Sequence, residues 1–333
     1  MEIRPLDLAD DAQLGAVYDV ADRADMLGRE GRPRMTLTEF TGRLRSPDSG
    51  EQQEAWVGYV DGTVVAFGLM YLPLLDNTEK AYVEVKVDPE QRRRGHGRTM
   101  LCHLAAIAER AGRTELLTET VVPVGEHRTH PYTRFLTSQG FTYSNVEPVR
   151  YLQLPVAETA IDEWMAQAAE RHDGYKIETF RDGVPDDLLP SLCVLLGQLA
   201  VDAPTGDVDF EEEVMTPERY AEMGEALEAM ERSSFETLAI APDGTVAAQT
   251  TLIVPRNDSP DVFQWGTFVH RDHRGHRLGL ATKAANLRAV QQQFPDKRRI
   301  VTQNAETNDF MVSINVLMGF ELVEASAEYV RRS

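Results

Sequence analysis

The chain has 333 residues, of which 42% are hydrophobic, and its formal net charge at pH 7 is −20. This length predicts two domains, each large enough for a core of its own. The acidic balance argues against a DNA- or RNA-binding protein, because such proteins carry a basic stripe. No apolar run approaches the ~20 residues that a membrane helix needs. The first residues also lack the basic and apolar segments of a signal peptide, so we expect a cytoplasmic protein without a membrane partner.

The two cysteines, Cys102 and Cys193, each stand among apolar residues. Their spacing matches neither a structural zinc site nor a redox pair. We interpret both as small buried hydrophobic side chains and expect no metal.

In the first half, turn and cap signals separate the predicted elements. Asp61-Gly62 predicts a hairpin turn, and Thr36 with Glu39 forms a capping-box pattern at a helix start. The predicted elements, in chain order, are a strand at 2–5, helices at 8–25 and 36–44, strands at 55–60, 63–72 and 80–87, a helix at 99–112, a strand at 115–121, a helix at 132–138 and strands within 141–154.

The second half, which starts at Tyr175, predicts the same order after a polar-flanked helix within 155–174 that we interpret as a connector. Its predicted elements are helices at 186–201 and 217–231, a hairpin around Asp243-Gly244, a strand at 262–269, a helix at 280–293, a strand at 299–303, a helix at 310–317 and strands within 321–330.

The two halves also repeat short motifs. Asp61-Gly62-Thr63-Val64 recurs 182 positions later as Asp243-Gly244-Thr245-Val246, and Gly140-Phe141 recurs as Gly319-Phe320. A repeat of this length indicates a duplicated domain. We therefore predict an α+β protein with domains at 1–155 and 175–333 and a helical connector at 156–174. Each domain should contain a mixed, mostly antiparallel sheet flanked by helices.

A basic turn follows the predicted strand at 80–87. Arg92-Arg93-Arg94-Gly95-His96-Gly97 has the pattern Arg-x-x-Gly-x-Gly and precedes a helix. Free amides at a helix N-terminus bind anions, and glycines let the backbone approach a phosphate closely. The pattern predicts a phosphate-binding turn; a solvated basic turn is the alternative.

The counterpart in the second half, Arg274–Gly279, departs from this pattern. At the same offset, Arg277 stands where the first glycine belongs. Its amide is still present, but its side chain either helps to hold a phosphate or blocks the groove. Anion binding by the second turn is therefore left open.

Val87-Asp88-Pro89, the Arg-x-x-Gly-x-Gly turn and the late Gly-Phe pair together resemble the GNAT superfamily of N-acetyltransferases. The tandem arrangement is similar to that of bacterial two-domain GNAT proteins, mycothiol synthase among them. The resemblance implies that an acyl group, acetyl or longer, passes from acyl-CoA to a primary amine of a small molecule by direct attack on the thioester. It leaves open the acceptor, which is an amino sugar, an antibiotic, a peptide N-terminus or a biosynthetic amine, and whether the protein is a monomer or a homodimer.

The resemblance also assigns residues to the co-substrate, because the turn would hold the pyrophosphate of acetyl-CoA and the pantetheine would follow the preceding strand. These residues are Val85, Val87, Arg92, Arg93, Arg94, Gly95, His96, Gly97 and Arg98 in the first half and Val269, Arg274, Gly275, His276, Arg277 and Gly279 in the second.

The catalytic residues are less well defined. Glu84 stands on the strand where this family often places its base, although it also fits an exposed strand carboxylate. Many GNAT proteins carry a tyrosine acid four residues before the Gly-Phe pair. Leu136 and Asn315 occupy those positions here, so neither half has that acid; Tyr132 and His130, or a water relay, are the alternatives.

In the second half, Asn304 and Asn315 are the catalytic candidates. Asn304 and Asn308 bracket the loop that the resemblance places near the thioester, and Asn315 follows on the next predicted helix. Asn308 in the same loop either contributes to the site or caps the helix at 310–317. The acidic loop at 202–213 either recognises a cationic amine through Asp202, Asp207 and Asp209 or is simply solvated.

Three functions therefore stay open from the sequence. The first is acyl transfer in the N-terminal half, and the second is acyl transfer confined to the C-terminal half. The third is a non-catalytic acyl-CoA-binding or scaffold protein, which the missing tyrosine favours slightly.

Overall fold

The computed structural model of the chain describes residues 1–202 and 204–333, so the predicted acidic loop is described apart from Ala203. The chain divides into two compact units. The N-terminal unit comprises Met1–Asn145, Gly206–Val208 and Ala327–Ser333, and the C-terminal unit comprises Val146–Thr205 and Asp209–Ser326. The predicted domain boundaries concern independent folding, which compactness does not test, and they stay a prediction.

The N-terminal unit is built on a sheet whose strands follow the chain in order. Neighbouring strands are antiparallel from the first to the fourth, whereas the fourth and fifth are parallel. These strands are β1 (Glu2–Pro5), β2 (Glu51–Val60), β3 (Thr63–Pro73), β4 (Lys80–Val87) and β5 (Glu115–Pro123).

The helices of this unit cover both faces of the sheet. They are α1 (Asp11–Met26), α2 (Leu37–Arg45), α3 (His96–Arg110) and α4 (Pro131–Ser138). Alternate residues of β3 explain the two layers, since successive side chains of a strand point to opposite faces. Leu69 packs with Leu14 of α1 and Phe40 of α2, whereas Met70 packs with Leu101 and Leu104 of α3.

The C-terminal unit repeats this plan. Its elements are β6 (Thr142–Gln153), α5 (Glu158–Ala169), β7 (Lys176–Arg181), α6 (Leu189–Asp202), α7 (Pro217–Ala229), β8 (Arg232–Ile240), β9 (Val246–Pro255), β10 (Asp261–Val269), α8 (Leu278–Gln293), β11 (Arg299–Gln303), α9 (Asp309–Leu317) and β12 (Glu321–Arg332). Strands β7 to β10 are antiparallel neighbours, β10 and β11 are parallel, and β11 pairs with the later part of β6.

The predicted α+β class with a mixed, mostly antiparallel sheet in each half is confirmed. Three details differ from the sequence prediction. Cys102 is exposed, because it lies away from the face of α3 that buries Leu101 and Leu104, whereas Cys193 is buried as predicted.

α3 begins at His96 rather than at 99, because histidine and glycine are weak helix formers and hide the start. The helix expected as a connector, α5, packs with Ile161 and Ala168 into the core of the C-terminal unit, against Leu280 and Leu287 of α8.

The unit boundary falls within β6 and within β12, so the last residues of the chain belong to the N-terminal unit. Ala327 and Tyr329 lie in the core under α3, where the Tyr329 hydroxyl is 2.7 Å from Thr133 Oγ1 and donates to the carbonyl of His127 at 2.8 Å. The N-terminal core is therefore complete only with this returning strand.

Within the described residues, no helix is both long and apolar enough to cross a membrane.

Candidate functional site

The N-terminal turn has the backbone of an anion site. Gly95 is the N-cap of α3 at φ 89°, and Arg93, two residues earlier, is also left-handed at φ 64°. No side chain caps the helix, so the amides of its first turn have no side-chain acceptor. The space above Gly95 is open, since an added Cβ would meet no atom within 4 Å. The predicted residues His96, Gly97 and Arg98 form this first turn.

The arginines of this turn divide into two groups. Arg92 braces the turn, because its guanidinium donates to Tyr132 Oη at 3.0 Å and to the carbonyl of Ala24 at 3.2 Å. Arg93, Arg94 and Arg98 are exposed, and in the described part of the chain they have no hydrogen-bond or ion-pair partner. The turn therefore presents three uncompensated positive charges beside free amides.

A fork between β4 and β5 leads to this turn. The two strands pair through Lys80, Ala81 and Tyr82, with Leu117 as the last partner, yet β4 continues to Val87 and β5 to Pro123. Val85 and Val87, which the sequence predicts along the pantetheine, lie on the part of β4 beyond the pairing. A fork between two strands that leads to a phosphate-binding turn fits a long, thin ligand with a charged end.

The C-terminal turn follows the same backbone path. Gly275 and Arg277 are left-handed at φ 87° and 53°, and Arg277 is the N-cap of α8. These residues lie 182 positions after Arg93 and Gly95, which are also left-handed. In each turn one of the two left-handed residues is a glycine, the second in the N-terminal turn and the first in the C-terminal turn. Arg277 thus occupies a conformation that costs a non-glycine residue about 1–2 kcal/mol.

The surroundings of the C-terminal turn differ from those of the first. Both oxygens of Asp202 lie 2.8 Å from an arginine, one from Arg271 and the other from Arg274. Arg277 lies 2.9 Å from Glu170 and also donates to the carbonyl of Gln167 at 2.5 Å. All three arginines are therefore already paired with carboxylates of the chain itself.

The contacts of Asp202 also test the predicted role of the acidic loop in binding an amine. Asp202 ends α6 and is committed to the arginines of the turn, so a direct role in binding an amine is not supported for it. Of the two interpretations of Asn308, capping is confirmed, since its side chain accepts from the amide of Met311 at 3.2 Å. The remaining turn residue His276 lies 3.0 Å from the carbonyl of Arg171.

The last predicted co-substrate residues of the second half, Val269 and Gly279, are packing positions. A Cβ at Gly279 would lie 3.2 Å from Ile314 Cδ1 and 3.7 Å from Val269 Cγ2. This glycine thus permits a close approach between α8 and its neighbours.

Glu84 lies on the face of β4 away from Val83, as the alternation of the strand predicts. Its carboxylate is 3.1 Å from Lys86 Nζ and 3.6 Å from the guanidinium of Arg43. Burial opposes the charged form, but these two cations outweigh it and hold the pKa of Glu84 below its usual value. A carboxylate with a lowered pKa is a weaker base; its catalytic role stays a prediction.

The structure brings Asn304 and Asn315 together. Asn315 Nδ2 donates to Asn304 Oδ1 at 2.9 Å, and Lys283 Nζ donates to Asn315 Oδ1 at 3.0 Å. Lys283 is buried in α8, and burial lowers its pKa to about 7. Lys283 is not among the residues predicted from the sequence, although a lysine among the apolar residues Ala281, Ala284 and Leu287 is an unusual feature of a helix.

A second buried group was also missed. Glu236 of β8 accepts from Tyr220 Oη at 2.6 Å, and burial raises the pKa of Glu236 to about 7. No local pattern distinguishes this glutamate in the sequence, because its burial depends on helices α6 and α7. Among the described residues, no group of histidine, cysteine and carboxylate side chains is arranged to hold a metal ion.

Residues 19–136, which contain the fork and the N-terminal turn, match the Acetyltransferase (GNAT) family. The chain contains a GNAT acetyltransferase domain. A tandem GNAT protein from the clavulanic acid biosynthesis pathway is 25% identical, with a TM-score of 0.79, and the alignment covers 99% of this chain and 98% of that chain. No curated protein matches the sequence.

A GCN5-related N-acetyltransferase from Sphaerobacter thermophilus shares the fold at 15% identity, with a TM-score of 0.64 and coverage of 99% of this chain and 95% of that one. The GNAT domain and the tandem likeness together indicate an acyltransferase of the GNAT N-acetyltransferase type. They also confirm the predicted fold class, two tandem GNAT-like domains.

Proposed function

We propose that the protein transfers an acetyl or other acyl group from acyl-CoA to a primary amine of a small molecule, and that the N-terminal unit performs the reaction. The observation that carries this proposal is the difference in arginine partners. Arg93, Arg94 and Arg98 are free to meet a pyrophosphate, whereas Arg271 and Arg274 already share Asp202.

The fit of the co-substrate to the N-terminal unit rests on two features. The uncapped first turn of α3 offers amides to the phosphates, and the open space above Gly95 admits them. The fork beyond Tyr82 and Leu117 offers β4 backbone to the pantetheine. The acetyl group would then lie within the fork, where an amine attacks the thioester directly and the CoA thiolate leaves.

A small-molecule acceptor is supported by the tandem GNAT relative, which belongs to a small-molecule pathway. The tandem layout also agrees with a mycothiol synthase-like protein. We include in the proposal a cytoplasmic location and a monomer or homodimer that needs neither nucleic acid nor membrane.

The test begins with acetyl-CoA binding measured by titration calorimetry. We expect one molecule per chain, and Arg94→Glu should weaken it about tenfold or more, since a surface charge contact contributes about 1 kcal/mol and reversal adds repulsion. Arg274→Glu is the matched control and should leave the dissociation constant unchanged. Two molecules bound per chain would show that both turns bind acetyl-CoA. A loss of binding with Arg274→Glu alone would assign the site to the C-terminal unit.

Activity is then measured as CoA-thiol release with amino sugars, aminoglycosides, polyamines, amino acids and an alanine-terminated peptide. Acetylated product is identified by its mass shift. Binding without turnover on any of these amines would instead favour the scaffold interpretation.

A further inference from the structure

The returning strand β12 is held to β5 by contacts that set its register. Arg332 pairs with Glu115 at 2.7 Å, and the amide of Ser333 donates to the carbonyl of Thr114 at 3.0 Å. In an antiparallel pair with this register, Glu328 lies opposite Glu119 of β5.

The side chain of Glu328 lies on the face of the sheet that α1 and α2 cover. Its neighbours Ala327 and Tyr329 are buried in the core under α3, and successive residues of a strand alternate between faces. Glu84 and Glu119 lie on the same face, because Val83 of β4 and Leu116 of β5 belong to the α3 core.

Glu328 also lies at the level of the fork. The last β4–β5 pair is Tyr82 with Leu117, so Glu84 and Glu119 each stand two residues beyond it. Since Glu328 is opposite Glu119, all three carboxylates lie beside the start of the fork that the proposed function gives to the thioester. The last strand thus adds a group to a site formed otherwise from residues far earlier in the chain.

The groups that face Glu328 favour its role as a base. Burial and the like charge of Glu119 raise the pKa of Glu328, and a hydrogen bond from Asn145 of β6 only partly opposes this. Glu84, one strand further away, is instead compensated by Lys86 and by Arg43 of α2. A raised pKa makes a carboxylate a stronger proton acceptor.

We propose that Glu328 is the general base of acyl transfer in the N-terminal unit, an assignment that rests on the proposed function. The Glu328 carboxylate takes a proton from the ammonium of the acceptor. The freed nitrogen lone pair forms the N–C bond, the C–S bond breaks, and CoA leaves as a thiolate. The thiolate takes the second proton from the nitrogen, so the products are a neutral amide and the CoA thiol. Glu328 then returns its proton to solvent.

The test compares Glu328→Gln with the wild type on two nucleophiles. One is the panel amine with the highest rate, which is an ammonium at about pH 7.5, and the other is hydroxylamine, which is already uncharged. We expect kcat/KM to fall about 100-fold with the amine but to stay within about fivefold with hydroxylamine, because only the ammonium needs a base. An equal loss on both nucleophiles, or no loss on the amine, overturns the assignment.

Three controls keep the outcomes distinct. Glu321→Gln, an exposed glutamate on the same strand, should behave as wild type, and Glu328→Gln should bind acetyl-CoA normally. Formate should restore part of the activity of Glu328→Ala. If the wild type transfers acetyl to neither nucleophile, the proposed function itself fails, and this assignment falls with it.

Glu119→Gln provides a separate pH readout. Removing the like charge lowers the pKa of Glu328, so the acid limb of kcat/KM against pH should move to lower pH while activity at about pH 8 persists. An acid limb that does not move would show that Glu328 is not the titrating base.

Discussion

The two basic turns share a backbone but differ in what their arginines contact. In the N-terminal turn three arginines face solvent, whereas in the C-terminal turn Asp202 and Glu170 pair with Arg271, Arg274 and Arg277. Both copies of the duplicated fold thus keep the backbone geometry of an anion site, but only the N-terminal copy keeps unpaired positive charges. A phosphate-binding motif is therefore defined by its unpaired charges as much as by its glycines.

The partly buried and buried charges of the two units show the opposite difference. Glu84 and Lys86 of the N-terminal unit compensate each other, and Lys86 also contacts Asp25. Lys283 and Glu236 of the C-terminal unit are buried, and the pKa of each is shifted toward its neutral form, to about 7.

The largest expected effect concerns the end of β12, residues 327–333, which completes the core of the N-terminal unit. Tyr329→Ala should destabilise this unit by about 4 kcal/mol, because it empties a core position and removes two hydrogen bonds. Acetyl-CoA binding at the N-terminal turn should weaken with it. Urea unfolding and calorimetry measure both effects.

Tyr329→Phe is the matched variant, since it keeps the ring and loses only the hydroxyl. We expect it to cost about 1–2 kcal/mol. If Tyr329→Ala instead unfolds the C-terminal unit first and leaves acetyl-CoA binding intact, the assignment of residues 327–333 to the N-terminal unit is wrong.

A second prediction concerns these buried groups of the C-terminal unit. Folding raises the pKa of Glu236 from 4.5 to about 7, so the folded state binds the extra proton between these values. As the pH rises from 4.5 to about 7, the free energy of unfolding should therefore fall by about 1.4 kcal/mol per pH unit. Folding lowers the pKa of Lys283 from 10.5 to about 7, so stability should rise again above pH 7 with the same slope.

Together the two groups predict a minimum in the stability of the C-terminal unit near pH 7. Glu236→Gln should remove the fall below that pH, and Lys283→Met should remove the rise above it. Thermal unfolding from about pH 5 to about pH 10 measures both slopes. Slopes that survive in the variants would mean that other groups titrate in these windows.

The smallest expected effect concerns the C-terminal turn, where we expect the ion pairs alone to prevent anion binding. Asp202→Asn combined with Glu170→Gln removes the carboxylate partners of Arg271, Arg274 and Arg277. We expect a second binding event for inorganic pyrophosphate, about tenfold weaker than the first, because the backbone of the turn is already in place. If calorimetry still finds one site at millimolar pyrophosphate, the end of α5 closes the turn by contact with its backbone instead.

Local patterns allowed much of the fold to be predicted. The hairpins around Asp61-Gly62 and Asp243-Gly244, the capping box at Thr36 and the basic turns all depend on residues close together in the sequence. The pairing of Asp202 with Arg271 and the return of Tyr329 to the N-terminal core join residues far apart, and no periodicity signals them. Arg277 shows the same limit, since the sequence could not decide whether its side chain helps a phosphate or finds another partner.

The end of β12 has a consequence for how the protein is made. Ala327–Ser333 completes the N-terminal core, yet the ribosome reaches these residues only after it has synthesised all the strands and helices of the C-terminal unit. Domains usually fold in the order in which they emerge. Here the unit that emerges first must wait, with an open sheet edge beside β5, until the unit that emerges last has been translated.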